Sequence, residues 1–225
     1  MKNEKVAAIV PAYNEAPRIA PVLRALCSVK ELDEIIVVDD ASTDDLYSVV
    51  NQFPKIKYMR NPMNRGKGPS MDAGVKATNA SIILFCDSDL RGLQPMHIQK
   101  ILRPVLQRRY DMYIGLCANR MQKTVKAWAL NSGQRAMKRS VWEKLPDFYK
   151  KGYRIETGLN LLVKYFGNGY GYETLAYSQY IKEKKHGILI GSMMRRKMNL
   201  QILFTTLRFH LYDRFILTRK RFRIG

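Results

Sequence analysis

The chain has 225 residues, of which 46% are hydrophobic and 26% are charged. These values fit one compact domain with a full core, and they exclude both a disordered chain and a second domain of normal size. Lys and Arg number 39 against 19 Asp and Glu, so the net charge is +20 and phosphate-rich partners are expected. About half of this excess lies in residues 182–225, which carry 12 basic and 2 acidic residues. Because the rest of the chain is only mildly basic, we predict no nucleic-acid partner.

The cysteines and the apolar stretches indicate the compartment. Cys27, Cys86 and Cys117 are far apart and form no C-x-x-C pair, which excludes zinc ribbons and redox dithiols and favours reduced thiols. The apolar run near the N-terminus is too short for a signal peptide, and no stretch is long enough to cross a bilayer. We therefore expect a cytoplasmic protein.

Short apolar runs alternate with helix-like segments through the first half of the chain. The pattern predicts strands at 6–10, 34–40, 56–59, 81–86 and 111–116, and helices at 16–29, 44–52, 68–78 and 95–108. The Val/Ile-rich runs lack polar alternation, which is typical of strands buried on both faces of a parallel sheet. Together they predict a single Rossmann-like α/β domain over residues 1–181 with a mostly parallel sheet, followed by a basic amphipathic helical tail over residues 182–225.

Polar segments follow four consecutive strands, where ligands bind in sheets of this kind. These segments read PAYNEA, DDASTDD, NPMNRGKG and DSDLRG. Neither G-x-G-x-x-G nor G-x-x-x-x-G-K-[ST] is present, so a nucleotide would be held by acidic and backbone groups, with a metal neutralising its phosphates.

The acidic triplet Asp87-Ser88-Asp89 is the strongest candidate for that metal site. Two carboxylates two residues apart at a strand end can converge on one Mg²⁺ or Mn²⁺ through oxygen ligands. Such a cation would bridge a diphosphate and stabilise the charge that develops on it. A bare D-x-D is common by chance, so the prediction depends on its place as the fourth polar strand end.

The other strand ends supply candidate nucleotide contacts. Asp39 and Asp40 can accept hydrogen bonds from a base and ribose, with helix capping as the alternative. Lys67 can approach a diphosphate, and Asp72 lies one helical turn further on, although turn chemistry alone explains the glycines around Lys67. Tyr13 can lie beside a base, or its segment can be a simple turn into a helix.

IVPAYNEA, EIIVVDDASTD, NRGKGPSMDAG and ILFCDSDL, in this order and spacing, resemble the inverting glycosyltransferases of family 2, which have the GT-A fold. The resemblance covers about residues 5–180. It implies a nucleotide-sugar donor, with Asp87 and Asp89 serving the metal and the diphosphate. The residues it places around the nucleotide, together with those from the strand ends, are Pro11, Ala12, Tyr13, Glu15, Asp39, Asp40, Lys67, Asp72, Asp87 and Ser88.

The second half resembles the polyprenyl-phosphate hexosyltransferase branch of that family. Its Ser-Gly-x-Arg run implies that the sugar and the acceptor are bordered by Ser132, Gly133, Gln134 and Arg135. Glu156, in GYRIETGLNLLVKYFG, would be the base or position the acceptor, with a favourable helix N-terminal charge as the alternative. A late histidine completes the metal shell in some relatives, which makes His186 a further candidate ligand. Arg135, Asp89 and Glu156 are thus the predicted catalytic residues.

Two departures from that branch concern the metal and the acceptor. Arg91 stands where the dolichol-type enzymes usually have a glutamine, and a cation cannot ligate a metal. The stretch between Ile114-Gly115 and Ser132-Gly133 is also shorter than in those enzymes. The acceptor can therefore be a lipid phosphate, or a hydroxyl of a glycan or small molecule, for which a general base is required.

The tail places Leu200, Leu203, Phe204, Leu207, Leu211 and Phe215 at helical spacing among basic residues. One interpretation is a helix that packs on the domain or forms a homodimer contact. The other is an interfacial helix on anionic lipid at the inner face of the membrane. The sequence as a whole predicts a metal-dependent inverting hexosyltransferase that uses a UDP- or GDP-sugar. The alternatives are a non-catalytic nucleotide- or membrane-binding module and, less favoured, a sugar-phosphate nucleotidyltransferase.

Overall fold

The computed structural model describes residues 4–118, 130–179, 187–219 and 222–224. The strands of this part are β1 (Val6–Ala12), β2 (Glu34–Asp39), β3 (Ile56–Arg60), β4 (Ile82–Phe85), β5 (Leu90–Arg91), β6 (Met112–Cys117), β7 (Arg135–Lys138), β8 (Tyr170–Leu175) and β9 (Ser178–Gln179). Seven of them form one sheet in the order β3-β2-β1-β4-β7-β6-β8, while β5 and β9 pair separately. All pairs in the large sheet are parallel except those of β7, which is antiparallel to both neighbours.

The helices of the described residues lie between these strands and in the tail. They are α1 (Ala16–Cys27), α2 (Leu46–Asn51), α3 (Lys67–Lys76), α4 (Pro95–Leu106), α5 (Arg139–Glu143), α6 (Arg154–Phe166), α7 (Ile188–Arg208) and α8 (Arg214–Arg219). A π-helical turn, Phe209–Asp213, joins α7 to α8.

The sheet separates two apolar cores. Alternate residues of β1 point to opposite faces, as the period of two in a strand requires. Val6 and Val10 pack with α1 and α4 on one face, whereas Ala7 and Ile9 pack with α3 and α6 on the other. Burial on both faces explains why the strands read as continuous apolar runs.

The structure confirms the predicted fold class. The five predicted strands and four predicted helices are present, with ends that differ by at most two residues. β7 was not predicted; its four residues lie between β4 and β6 and are antiparallel to both. The predicted domain boundary at residue 181 lies outside the described residues, and it stays a prediction.

The tail helix α7 packs against α6, but not through its predicted apolar stripe. Thr205 and Phe209 face the domain and are fully buried. The six stripe residues named above are instead between 50% and 75% exposed. No helix in the described ranges has both the length and the apolar composition needed to span a membrane.

Candidate active site

The carboxyl ends of β1, β2 and β4 open into one cavity of about 400 Å³. The start of α3 and the end of β9 complete its wall. The cavity is lined by Pro11, Ala12, Tyr13, Glu15, Asp40, Asn64, Gly66, Lys67, Ser70, Asp87, Ser88, Asp89 and Gln179. Nine of the residues selected from the sequence therefore lie together, because parallel strands end at the same edge of a sheet.

Asp87 has three charged or amide partners around this cavity. Its Oδ1 lies 2.8 Å from Nζ of Lys67. Its Oδ2 accepts hydrogen bonds from Nε2 of Gln134 at 2.6 Å and from Nε2 of Gln179 at 3.0 Å. Burial acts to raise the pKa of Asp87, but the Lys67 ammonium and the two amides outweigh it and hold the pKa below its usual value. Asp87 is therefore ionised at neutral pH.

Lys67 connects the triplet to the predicted base. Its ammonium lies 3.1 Å from Oε1 of Glu156, in the first turn of α6, as well as beside Asp87. Burial opposes the charge of Lys67, yet the two carboxylates raise its pKa above the usual value. One ammonium thus bridges the acidic triplet and a buried glutamate from a distant segment.

Asp89 is held by a residue that the sequence did not suggest. Its Oδ1 accepts a hydrogen bond from Nε2 of Gln179 at 3.1 Å. Gln179 reaches it because β9 pairs with β5, with Gln179 opposite Leu90 and Ser178 opposite Arg91. Gln179 is about 90 residues from the triplet and belongs to no motif, so no sequence signal marked it.

Asp40 organises the glycine-containing loop before α3. Its carboxylate accepts hydrogen bonds from the backbone N–H of Gly66 at 2.7 Å, that of Arg65 at 3.0 Å and the Asn61 amide at 2.8 Å. Gly66 has a φ of 88°, a left-handed conformation that glycine adopts without strain. Because Asp40 holds this loop in place, the next residue, Lys67, is positioned at the cavity.

Two predicted nucleotide contacts do not line the cavity. Asp39 is fully buried and accepts hydrogen bonds from Ser42 N, from the Tyr58 hydroxyl and from Arg60. Burial acts to raise its pKa, but these hydrogen bonds lower it below the usual value. The carboxylate of Asp72 accepts a hydrogen bond from Nε1 of Trp142 at 3.0 Å and lies 2.7 Å from Nζ of Lys76. Neither residue lines this cavity, and the contact of each with a nucleotide stays a prediction.

The Ser132–Arg135 segment supports the cavity from behind. The Ser132 hydroxyl donates to the Gly115 carbonyl at 2.6 Å and lies 2.7 Å from Oε1 of Gln134, which orients the Gln134 amide toward Asp87. Arg135 is 1% exposed and donates to the carbonyl of Ser132 and to Oδ1 of Asn160. Burial lowers its pKa to about 10. This geometry favours a positioning role for Arg135, and its direct contact with an acceptor stays a prediction.

Gly133 allows this segment to touch the triplet. A Cβ added at Gly133 would lie 2.5 Å from Oδ2 of Asp87, closer than any real Cβ contact. We expect Gly133→Ala to push Asp87 away from its amide partners and to lower turnover about a hundredfold, the scale of a small misplacement in an active site. Steady-state kinetics would measure this, with circular dichroism to verify folding. Turnover within about threefold of the wild-type value would contradict the close approach.

The oxygen atoms at this cavity are suited to a divalent cation. Asp87 and Asp89 offer carboxylate oxygens on one wall, the ligands that Mg²⁺ and Mn²⁺ prefer. Within the described residues, no group of three or more His, Cys, Asp or Glu side chains could hold a metal ion. The site therefore fits a cation that takes its other oxygens from further donors. The exposed Arg91 does not line the cavity, and His186 lies outside the described residues.

Several known proteins that this chain resembles are glycosyltransferases. The sequence model described as Glycosyl transferase family 2 matches residues 7–220. A dolichyl-phosphate beta-glucosyltransferase of Trichomonas vaginalis is 36% identical over 94 residues, which are 36% of this chain and 28% of that protein. Glucosyl-3-phosphoglycerate synthase of Mycobacterium tuberculosis is 28% identical over 114 residues, which are 45% of this chain and 34% of that protein. The matched stretches thus span half or less of these curated relatives.

Solved structures extend the likeness to the whole fold. The M. tuberculosis glucosyl-3-phosphoglycerate synthase in complex with Mn²⁺, UDP-glucose and phosphoglyceric acid superimposes with a TM-score of 0.73 at 23% identity. The superposition covers 90% of this chain and 79% of that one. At this identity, the match indicates a shared fold.

Proposed function

The chain belongs to glycosyl transferase family 2, and from this premise we propose that it is an inverting hexosyltransferase that uses a UDP- or GDP-sugar with Mg²⁺ or Mn²⁺. The observation that carries the proposal is the meeting of Asp87, Asp89 and Lys67 at one cavity, with Glu156 in contact with the Lys67 ammonium. A pure binding module would not need two carboxylates and an ammonium, from three distant segments, in contact with one another. The M. tuberculosis synthase, which has been crystallised with Mn²⁺ and UDP-glucose, supports the same donor class.

On the donor side, the nucleoside lies along the β1 and β2 ends and the diphosphate lies toward the triplet. A divalent cation held by Asp87 and Asp89 would supply positive charge to the diphosphate as it leaves. Lys67 adds a second positive charge at the same place, because its ammonium already contacts Asp87. Tyr13, which is 45% exposed at the mouth of the cavity, offers a ring face to the base.

On the acceptor side, an oxygen attacks the anomeric carbon opposite the diphosphate. A new bond forms from this oxygen to the anomeric carbon while the bond to the β-phosphate oxygen breaks, which inverts the configuration. If the acceptor is a hydroxyl, Glu156 takes its proton. A phosphate acceptor already carries a negative oxygen, and Glu156 then orients it through Lys67.

A thermal-shift screen of the full chain tests donor binding. UDP- and GDP-sugars are compared with and without Mn²⁺, because a ligand that binds only the folded state must stabilise it. At a hundred times the dissociation constant we expect a stabilisation of about 2.7 kcal/mol, which corresponds to a rise in Tm of about 5–10 °C. EDTA should abolish the rise. If no nucleotide-sugar raises the Tm, the proposed donor class is wrong.

We also propose that the tail holds the enzyme on an anionic membrane. The outer face of α7 and α8, defined by Leu200, Leu203, Phe204, Leu207, Leu211 and Phe215, is apolar and at least half exposed. Arg196, Lys197, Arg214 and Arg219 are exposed along the same helices. Asp213 is the one acidic residue among residues 187–219, and it bonds to Tyr149 and Arg208. An apolar stripe with basic flanks fits anionic headgroups, whereas a second basic copy would repel it.

The tail also connects this face with the acceptor side of the cavity. Gln201 of α7 accepts a hydrogen bond from the backbone N–H of Tyr153 at 3.1 Å, directly before α6. Glu156 follows three residues later. A membrane-anchored acceptor would therefore reach the candidate base from the side where the tail lies, which favours a lipid-linked acceptor over a soluble glycan or small molecule. We propose that this attachment is peripheral and at the inner face of the membrane.

A further inference from the structure

The bridging segment, residues 148–153, directly precedes α6 and packs against the start of α3. Gly68 of α3 is buried, and a Cβ added there would lie 1.9 Å from the carbonyl oxygen of Lys150. Glycine alone permits this approach, because no side chain fits between the two backbones. Gly68 directly follows Lys67, so the position of the bridging segment affects where the Lys67 ammonium lies.

The bridging segment also packs against α6, close to the candidate base. A Cβ added at Gly158 would lie 2.6 Å from Cδ1 of Tyr149, which is buried. Gly158 is two residues after Glu156, whose Oε1 lies 3.1 Å from Nζ of Lys67. The same segment therefore contacts both helices whose side chains form this ion pair. A displacement of the segment would change the distance between the ammonium and the carboxylate.

The tail holds the bridging segment by hydrogen bonds at two places. Gln201 of α7 accepts a hydrogen bond from the backbone N–H of Tyr153 at 3.1 Å. Asp213, the last residue of the π-helical turn, accepts hydrogen bonds from the Tyr149 hydroxyl at 2.6 Å and from Nε of Arg208 at 3.0 Å. Burial and the adjacent carboxylate raise the pKa of Tyr149 above its usual value, so the hydroxyl keeps the proton that it donates.

Further contacts fix the tail along α6. The guanidinium of Arg208 lies 3.8 Å from the centroid of the Phe148 ring, and that of Arg154, the first residue of α6, lies 4.3 Å from the same centroid. Because a cation above an aromatic ring is attracted to it, Phe148 links the tail to α6. Near the other end of the tail, Ile224 is buried and its backbone N–H donates to the carbonyl of Phe166 at 3.0 Å. The tail is therefore bound at both ends of α6.

We propose that the tail holds Lys67 and Glu156 in their reactive geometry, and that Gln201 is the positioning residue through which it acts at the start of α6. Gln201 does not line the cavity. Its amide oxygen fixes the N–H of Tyr153, and the first turn of α6 then places the Glu156 carboxylate against the Lys67 ammonium. The inference rests on the proposed function for the role of this ion pair, and it gives the tail a task in turnover besides membrane attachment.

The test measures kcat and KM of the full chain for Mn²⁺-dependent release of UDP or GDP, with the donor that the thermal-shift screen identifies and water as the acceptor. Gln201→Leu removes the acceptor oxygen at nearly constant size. We expect kcat to fall at least about tenfold and KM to stay within about threefold, because a misplaced catalytic group lowers the rate while the donor contacts on β1, β2 and β4 remain. Gln201→Glu keeps an acceptor oxygen at this place and should restore kcat to within about threefold of the wild type.

Thr206→Val is the matched control on the same helix, since the Thr206 hydroxyl donates to the Ile202 carbonyl at 2.9 Å, inside α7. Its kcat should equal that of the wild type. Gln201→Asn shortens the amide so that it no longer reaches Tyr153, and it should repeat the loss if the leucine variant does not fold.

Three results would overturn the positioning role. They are a kcat for Gln201→Leu within about threefold of the wild type, a rise in KM as large as the fall in kcat, and no recovery with Gln201→Glu in a chain whose circular dichroism is unchanged. Absence of turnover by the wild type would instead remove the proposed function, and the positioning role with it.

Discussion

Asp89→Asn is expected to lower hexosyl transfer at least about a thousandfold. The substitution keeps the shape of the side chain but removes a negative charge from the proposed cation site. Metal stabilisation of a leaving diphosphate contributes several kcal/mol, and about 4 kcal/mol corresponds to a factor of about a thousand in rate. The measurement is Mn²⁺-dependent release of UDP or GDP from the donor that the thermal-shift screen identifies.

Asp147→Asn is the matched control for this substitution. It is the same chemical change, at a side chain that is 96% exposed and contacts only Lys150 among the ion pairs of the described residues. Its activity should equal that of the wild type, and the two variants should have similar circular dichroism spectra. Retention of more than about a tenth of the activity by Asp89→Asn would mean that the triplet is not the metal site.

The features predicted correctly from the sequence are local ones. β1, β2 and β4 are buried on both faces and are therefore continuous apolar runs in the sequence. The turn residues that follow each run show where the strand ends. Because neighbouring parallel strands end together, the positions of Asp40, Asp87 and Asp89 at one cavity follow from their order alone. No knowledge of distances was needed for that inference.

The features missed depend on contacts between distant segments. β7 is four residues long, and its antiparallel pairing with β4 and β6 has no period that a sequence reveals. Gln179 acquires its meaning only through the β5–β9 pair. Arg135 was assigned to the acceptor from its motif, whereas its burial under Ser132 is a property of packing. Motif order thus locates a site, while the partners of each side chain decide its role.

Substitution of four leucines on the outer face of the tail by glutamine is expected to lower affinity for anionic vesicles at least about a hundredfold. The substituted residues are Leu200, Leu203, Leu207 and Leu211. Full burial of one leucine contributes about 1.5–3 kcal/mol, so even shallow insertion of four should be worth more than about 3 kcal/mol. Glutamine preserves helix propensity, and half or more of each leucine is already exposed, so the fold should persist. Co-sedimentation with phosphatidylglycerol-containing vesicles is the measurement.

Two double variants test whether vesicle binding also depends on positive charge, and whether any exposed apolar side chain would support it. Arg196→Gln with Lys197→Gln should weaken binding about thirtyfold at low salt, since each basic residue near an anionic surface contributes about 1 kcal/mol. Met96→Gln with Tyr172→Gln removes exposed apolar side chains from the domain and should leave vesicle binding unchanged. Binding to neutral phosphatidylcholine vesicles should be weak for every variant.

The alternative of a homodimer contact gives the opposite pattern. In that case light scattering would detect a dimer for the wild type, and the four leucine substitutions would convert it to a monomer without altering vesicle binding. The basic residues make this outcome unfavourable, because an antiparallel pair of these helices would bring Arg196 and Lys197 of each copy close to the basic residues of the other. Loss of vesicle binding with no change in mass would therefore assign the outer face of the tail to the membrane.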